Sequence, residues 1–278
     1  MLTAKTTVRR KPAEKSPEET LRDLARTMAS TIADHRLIDA GDRLLVALSG
    51  GKDSYTMLDL LERARRKAPV GFELVAFHLD QGQPGYDGRP LREWLERAAV
   101  RFEIAKEDTY SAVVETTQRN DESTYCRVCS RLRRGIFYAA AERLGCNKIA
   151  LGHHREDALE TLLMNMLYAG RLQGMPAAYT TNDGRFRVIR PLIECAEDEI
   201  AAHAIACAYP ILPCNLCGSQ GDLKRVAVAR LLDDLAERIP NVRQVLLASM
   251  KNVRPSHLLD REVAEAWSER AADYPPRR

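Results

Sequence analysis

The sequence predicts an α/β protein: a Rossmann-like parallel sheet with helices on both faces, an N-terminal helix before it and a mainly helical C-terminal extension after it. Two observations carry this. Short apolar runs, such as RLLVAL (43–48), FELVAFHLD (72–80) and NKIALGHH (147–154), alternate with longer stretches of helical periodicity. The first run opens directly onto Gly50-Gly51 and a helical pattern, a strand–turn–helix arrangement suited to binding an anion.

The elements follow in order. Residues 1–15 form a basic arm with no apolar core, unlike a secretory signal. Ser16, Pro17 and Glu19 make a capping box that starts a helix running to about Leu37, within an N-terminal segment of residues 16–40. Residues 41–195 hold the sheet. After the first strand comes a helix from about Asp53 to Arg66, with Met57, Leu58 and Leu61 at core spacing. The strand Phe72–Asp80 leads into the turn-rich QGQPGYDGRP, then the helix LREWLERAAV and the strand RFEIAKE. A helix from Val128 ends at Gly145, a fourth strand runs into Gly152 and His153, and EDALETLLMNMLYAG is helical again. Residues 196–278 read as mostly helical, with helices near Ala196–Cys207 and from Leu223, and a loose tail.

The composition excludes several classes. The 278 residues are 45% hydrophobic and 29% charged, an ordinary globular balance, and no apolar run approaches the length of a membrane span. The net charge of +3 is too small to argue nucleic-acid binding alone. The local cluster Arg127, Arg131, Arg133 and Arg134 could dock a polyanion, although such clusters are more often solvated helix faces. Seven cysteines, an odd number, without an export signal argue against a disulfide framework, and in a reducing cytoplasm the paired ones suggest metal or redox chemistry.

Ligands in such sheets sit at the carboxyl ends of the strands. Three strand ends carry suggestive residues: Ser49-Gly50-Gly51, His78-Leu79-Asp80 and Gly152-His153-His154. In SGGKDS the glycines let the backbone turn and approach a ligand, the next helix presents its N-terminus, Lys52 adds a point charge and Ser54 a hydroxyl. Asp53 would repel a phosphate unless it faces the loop backbone or a metal ion. LSGGKDSYTML resembles the signature of the PP-loop ATP pyrophosphatase superfamily, whose members cleave ATP between the α- and β-phosphates and adenylate an oxygen of the substrate. The resemblance implies ATP or pyrophosphate contacts for Ser49, Gly50, Gly51, Lys52, Asp53 and Ser54, with His78, Asp80, Gly152 and His153 beside the nucleotide. ALGHHREDALET is similar to the superfamily's second block. Members often carry Asp-Asp where this chain has Glu156-Asp157, so Asp157 takes the implied Mg²⁺ or substrate role.

Cys126 and Cys129 form one C-x-x-C pair, and Cys214 and Cys217 another. Such a turn lets two thiolates converge on one metal centre, and the spacing leaves zinc and an iron–sulfur cluster both open. Cys146, Cys195 and Cys207 sit singly in apolar segments and are expected to be buried. With STYCRVCSRLRRGI, RVIRPLIEC, PILPCNLCGSQ and NVRPSHLLD added, the chain resembles the tRNA 2-thiocytidine synthetase family from about Gly41 to Asp260. That resemblance implies a 4Fe–4S cluster on Cys126, Cys129 and Cys217, with Cys217 favoured over Cys214. It also implies ATP and Mg²⁺ as cofactors and thiolation of cytidine 32 in a tRNA anticodon loop. Lys52, Asp53, Asp157 and Arg133 are the catalytic candidates, and Arg131 and Arg134 the candidates for tRNA contact. A cysteine-desulfurase-type sulfur donor, a homodimer and a cytoplasmic location belong to the same expectation.

Overall fold

The computed structural model describes residues 15–119, 125–212 and 223–270. They divide into two compact units. The larger comprises the described residues up to Ala158 and those from Met175 to Leu223, and the smaller Leu159–Gly174 and everything described from Lys224 onward.

The larger unit is a six-stranded sheet: β1 (Arg43–Ala47), β2 (Glu73–Asp80), β3 (Phe102–Lys106), β4 (Lys148–Ala150), β5 (Ala178–Thr180) and β6 (Arg187–Ile189). The strand order is β3-β2-β1-β4-β6-β5, and every pairing is parallel except β5 with β6. The sheet is parallel as expected, with one antiparallel strand at its edge. β5 and β6 are three residues each, too short for any periodicity to register, and a turn at Thr181–Gly184 joins them as a hairpin. The helix α4 (Thr109–Arg119) was likewise not anticipated.

Alternation along the strands explains why both sheet faces are covered. Leu44, Val46, Leu74 and Ala76 pack on one side with α1 (Pro17–Asp34), α2 (Lys52–Arg65), α3 (Arg89–Ala98) and α7 (Glu197–Ala206). Leu45, Ala47, Val75 and Phe77 pack on the other with Phe137, Ala140 and Ala141 of α5 (Tyr125–Arg143). A strand buried on both faces must be apolar at every position, hence the continuous runs. Met57, Leu58 and Leu61 are all fully buried, as their spacing predicts.

The capping box at Ser16 forms in full: its Oγ accepts from the Glu19 N–H, and the Glu19 carboxylate accepts from the Ser16 N–H. The helix stops at Asp34 rather than Leu37, because Arg36 takes a positive φ of 47° and turns Leu37 into the core.

The smaller unit holds most of α6 (Arg155–Ala169), with α8 (Leu223–Arg238), α9 (Val242–Lys251), a short 3₁₀ turn at Pro255–His257 and α10 (Arg261–Arg270). Leu159, Val228 and Leu232 form its core, with Leu163, Met164, Leu246, Leu247 and Met250 against them. No described helix is long and apolar enough to cross a membrane.

Candidate active site

The strand order reverses at β1. The chain builds outward through β2 and β3, then returns to lay β4 on the other side. Such a reversal opens a crevice beyond the carboxyl ends of the two central strands. The SGGKDS loop follows β1 and the GHH segment follows β4, so both stand at that crevice.

The loop is locked by its own hydroxyls. Ser54 donates to the Gly51 carbonyl at 2.9 Å and accepts from the Ser49 N–H and hydroxyl, both at 3.2 Å. The Ser49 Oγ accepts from the Gly51 N–H at 3.3 Å. Ser54 is buried, so its hydroxyl shapes the turn rather than facing outward. Gly50 holds φ +85°, where a Cβ would meet the Leu212 side chain at 2.9 Å. The Leu212 N–H donates to the Gly50 carbonyl at 2.9 Å, so the segment leading toward the second cysteine pair is tied onto the loop. Gly152 has a comparable role, because a Cβ there would lie 3.3 Å from the Asp53 and Ser54 backbone. That close approach lets the β4 end pack on the start of α2.

On one side of the loop lies a carboxylate cluster. Lys52 Nζ is 2.9 Å from Glu197 Oε1 and 3.0 Å from Asp53 Oδ1. His154 lies 3.4 Å from Glu156, 3.5 Å from Asp157, 3.8 Å from Asp53 and 3.9 Å from Glu197. Burial pulls the His154 pKa down, but these four carboxylates outweigh it and the net shift is upward. Lys52 is also raised: burial opposes its charge, and the Glu197 and Asp53 contacts more than offset that.

Glu156 shows why a longer acid suits its position. Its carboxylate takes Arg155 Nε at 2.8 Å and also reaches the Glu197 N–H at 2.9 Å, capping α7, whose own N-cap is an alanine. Burial resists its ionisation, yet the His154 and Arg155 contacts hold its pKa down at about 2. Asp157 accepts from the His154 N–H at 3.0 Å and so fixes the entry to α6.

On the other side is a cavity of about 280 Å³, lined by Ser49, Gly51, His78, Gln81, Tyr86 and Arg133 among others. His78 Nδ1 lies 2.7 Å from the Leu48 carbonyl, which can only accept. Nδ1 therefore carries the proton, and Nε2 accepts from the Tyr86 hydroxyl at 2.6 Å. Burial lowers the His78 pKa against the partial support of the Leu48 carbonyl, which keeps the ring neutral at pH 7. The Arg133 guanidinium lies 5.6 Å over the Phe137 ring.

The predicted residues thus separate. Ser49, Gly51, His78 and Arg133 reach the cavity. Lys52, Asp53 and Asp157 join the cluster, where His154 rather than His153 stands among the acids. Asp80 turns back on its own loop and accepts from the Gly82 N–H at 2.9 Å. Arg131 and Arg134 are exposed on α5. Cys129 is half-buried, its Sγ 3.4 Å from Gln81 Oε1, and Gln81 lines the cavity. Cys126 lies three residues earlier on the same helix, with its side chain outside the described residues. Cys214 and Cys217 also lie outside them. Cys146 and Cys195 are buried, but Cys207 is exposed, because it stands at the C-cap of α7 where the helix ends at the surface. Glu197 and Tyr86 were missed. Glu197 looks like any acid in a helix's first turn, and Tyr86 like any aromatic in a glycine-rich loop.

A family model described as a PP-loop domain matches residues 20–209. A tRNA-cytidine(32) 2-sulfurtransferase from Sorangium cellulosum is 53% identical over 86% of this chain and 84% of its own length. One from Erwinia tasmaniensis is 50% identical over 86% and 77%. Among solved structures, the U34-tRNA thiolase NcsA from Methanococcus maripaludis with its [4Fe-4S] cluster matches with a TM-score of 0.66 at 20% identity, covering 92% of this chain and 90% of that one. At that identity the likeness concerns the fold.

Proposed function

We infer how this chain works from the family to which it belongs: it is a PP-loop protein and, within that group, a tRNA-cytidine(32) 2-sulfurtransferase. Its reaction is ATP-dependent thiolation, in which the C2 oxygen of a tRNA cytidine is replaced by sulfur. The observation that carries this is half identity over more than four-fifths of the chain.

The residue roles follow from chemistry. A carbonyl oxygen is a poor leaving group, and transfer of AMP to it makes a good one. Attack on the α-phosphate expels pyrophosphate, whose charge must be met by fixed donors. We assign that task to the Ser49–Ser54 loop, the N-terminus of α2 and Lys52. For Lys52 to serve a phosphate it must leave Glu197 and Asp53. Those carboxylates, together with Asp157, then form a hard-oxygen set around His154, which suits Mg²⁺. Asp53 Oδ1 supports this: it is buried and lies 3.0 Å from Lys52 Nζ, so it would lose that cation once Lys52 moves to the phosphate. On this reading Asp53 faces a cation rather than the phosphate. The cavity beside His78, Tyr86 and Arg133 takes a planar base, with Arg133 held over Phe137 to meet it.

Cys126, Cys129 and Cys217 would hold a 4Fe–4S cluster. The fit rests on Cys129, a thiol presented beside the cavity residue Gln81, with Cys126 on the same helix. With three protein ligands such a cluster would supply one iron open to the incoming sulfur. Arg131 and Arg134 contact tRNA phosphates, a cysteine-desulfurase-type protein provides the sulfur, and the enzyme acts as a cytoplasmic homodimer.

The test is anaerobic thiolation of unmodified tRNA with ATP, Mg²⁺ and sulfide, read by nucleoside mass spectrometry. The expected product is 2-thiocytidine, with the activity and the iron both lost in Cys129→Ser. Thiouridine as the sole product would overturn the substrate assignment. A colourless, zinc-loaded protein with full activity would overturn the cluster.

A further inference from the structure

We propose a second metal site, remote in its chemistry from the phosphate loop: a zinc-type divalent cation held by Asp59, His203 and Cys207, with the Tyr209 hydroxyl at the fourth corner. Asp59 lies on α2, His203 on α7, Cys207 at the C-cap of α7, and Tyr209 two residues beyond.

The spacing of the donor atoms carries the proposal. His203 Nε2 is 3.2 Å from Asp59 Oδ2, and the Tyr209 hydroxyl is 3.2 Å from both. Cys207 Sγ is 3.6 Å from His203 Nε2. In a tetrahedral zinc centre with ordinary Zn–S, Zn–N and Zn–O lengths, ligand atoms stand about 3.3–3.6 Å apart. One potential ligand atom from each of Asp59, His203 and Cys207 lies within 4.8 Å of the others. Sγ lies also 3.8 Å from Nδ1, so it now sits beside the ring. A rotation about the Cα–Cβ bond of this exposed cysteine aims its lone pair at the common centre.

Three further features favour a cation here. Cys207 and His203 stand at the C-terminal end of α7, where the helix dipole places partial negative charge. Asp59 with a Cys207 thiolate adds two negative charges, one of them already met by the Arg63 guanidinium. Arg63 holds the Asp59 carboxylate through Nε at 2.9 and 3.0 Å, the kind of outer hydrogen bond that orients a metal ligand. His203 and Tyr209 are buried while Cys207 faces solvent, so an ion can enter from the Cys207 side. Filled, the site would pin α2, which begins at the phosphate loop, to α7, which begins at Glu197.

The probe is zinc ion alone, added to full-length protein whose iron–sulfur cluster has been reconstituted. We expect one zinc per chain beyond any held by the paired cysteines, located between Asp59 and Cys207 by diffraction at the zinc edge. Cys207→Ser, at an exposed position, should weaken that uptake about 100-fold or more while iron content and circular dichroism stay unchanged. His203→Gln should do the same. Absence of that zinc, or its retention at full affinity in Cys207→Ser, overturns the proposal.

Discussion

Replacing Gly50 by alanine tests whether the phosphate loop depends on its contact with Leu212. Gly50 holds φ +85°, which costs an alanine about 1 kcal/mol. The new methyl would meet Cδ1, Cβ and Cγ of Leu212 at 2.9–3.0 Å, so Leu212 must move. Moving it breaks the bond from its N–H to the Gly50 carbonyl, about another 1 kcal/mol. The sum is about 2–3 kcal/mol with residual crowding added, a fall in melting temperature of about 5–10 °C for a unit of this size. The same distortion misplaces the Gly51 N–H and the start of α2, so affinity for ATP should drop about tenfold or more. Isothermal titration and thermal melts measure both. Combining the change with Leu212→Gly should restore part of each loss, a coupling of about 1 kcal/mol in a double-mutant cycle. Wild-type melting and ATP affinity in Gly50→Ala, or strict additivity in the cycle, would refute the reasoning.

Three other outcomes are expected. Lys52→Met should leave the fold intact but lower pyrophosphate release by about 10²–10³, since it removes the charge proposed to move onto the leaving group; a quench-flow assay of pyrophosphate decides. Asp42 and Lys148 form a buried ion pair. Burial opposes Asp42 ionisation, but Lys148, the Asp39 N–H and Asn147 outweigh it and depress its pKa below 3.8. Its stabilisation is therefore present above pH 3.8 and lost as pH falls below that, so Asp42→Asn should melt earlier at pH 7 and show a shallower acid decline. Arg131→Ala/Arg134→Ala should weaken tRNA binding and flatten its salt dependence by up to about one unit of slope per lost phosphate contact, whereas Arg133→Ala should lower turnover with little change in slope. An unchanged slope in the double variant would remove α5 from the tRNA surface.

The local signals were legible because each rests on a short-range physical cause. Ser16, Pro17 and Glu19 announced a helix start through reciprocal hydrogen bonds three residues apart, and the continuous apolar strands announced a sheet covered on both faces. SGGKDS between a strand and a helix announced the sharp turn that Gly50 makes at φ +85°, a conformation that favours glycine. The end of α1 was missed because burial of Leu37, a tertiary gain, decided where the helix should stop. β5 and β6 were missed because three residues carry no period.

Sequence alone also singled out the candidate residues, through an ordered set of motifs too long to arise singly. What it could not give was which of them meet. Glu197 and Lys52 are 145 residues apart, and only the packing of α7 beside α2 brings them to 2.9 Å. The same packing sets Asp59 against His203 across 144 residues, at the far end of α7. Such pairings depend on how whole helices dock, and docking is fixed by the summed burial of many side chains rather than by any one local pattern.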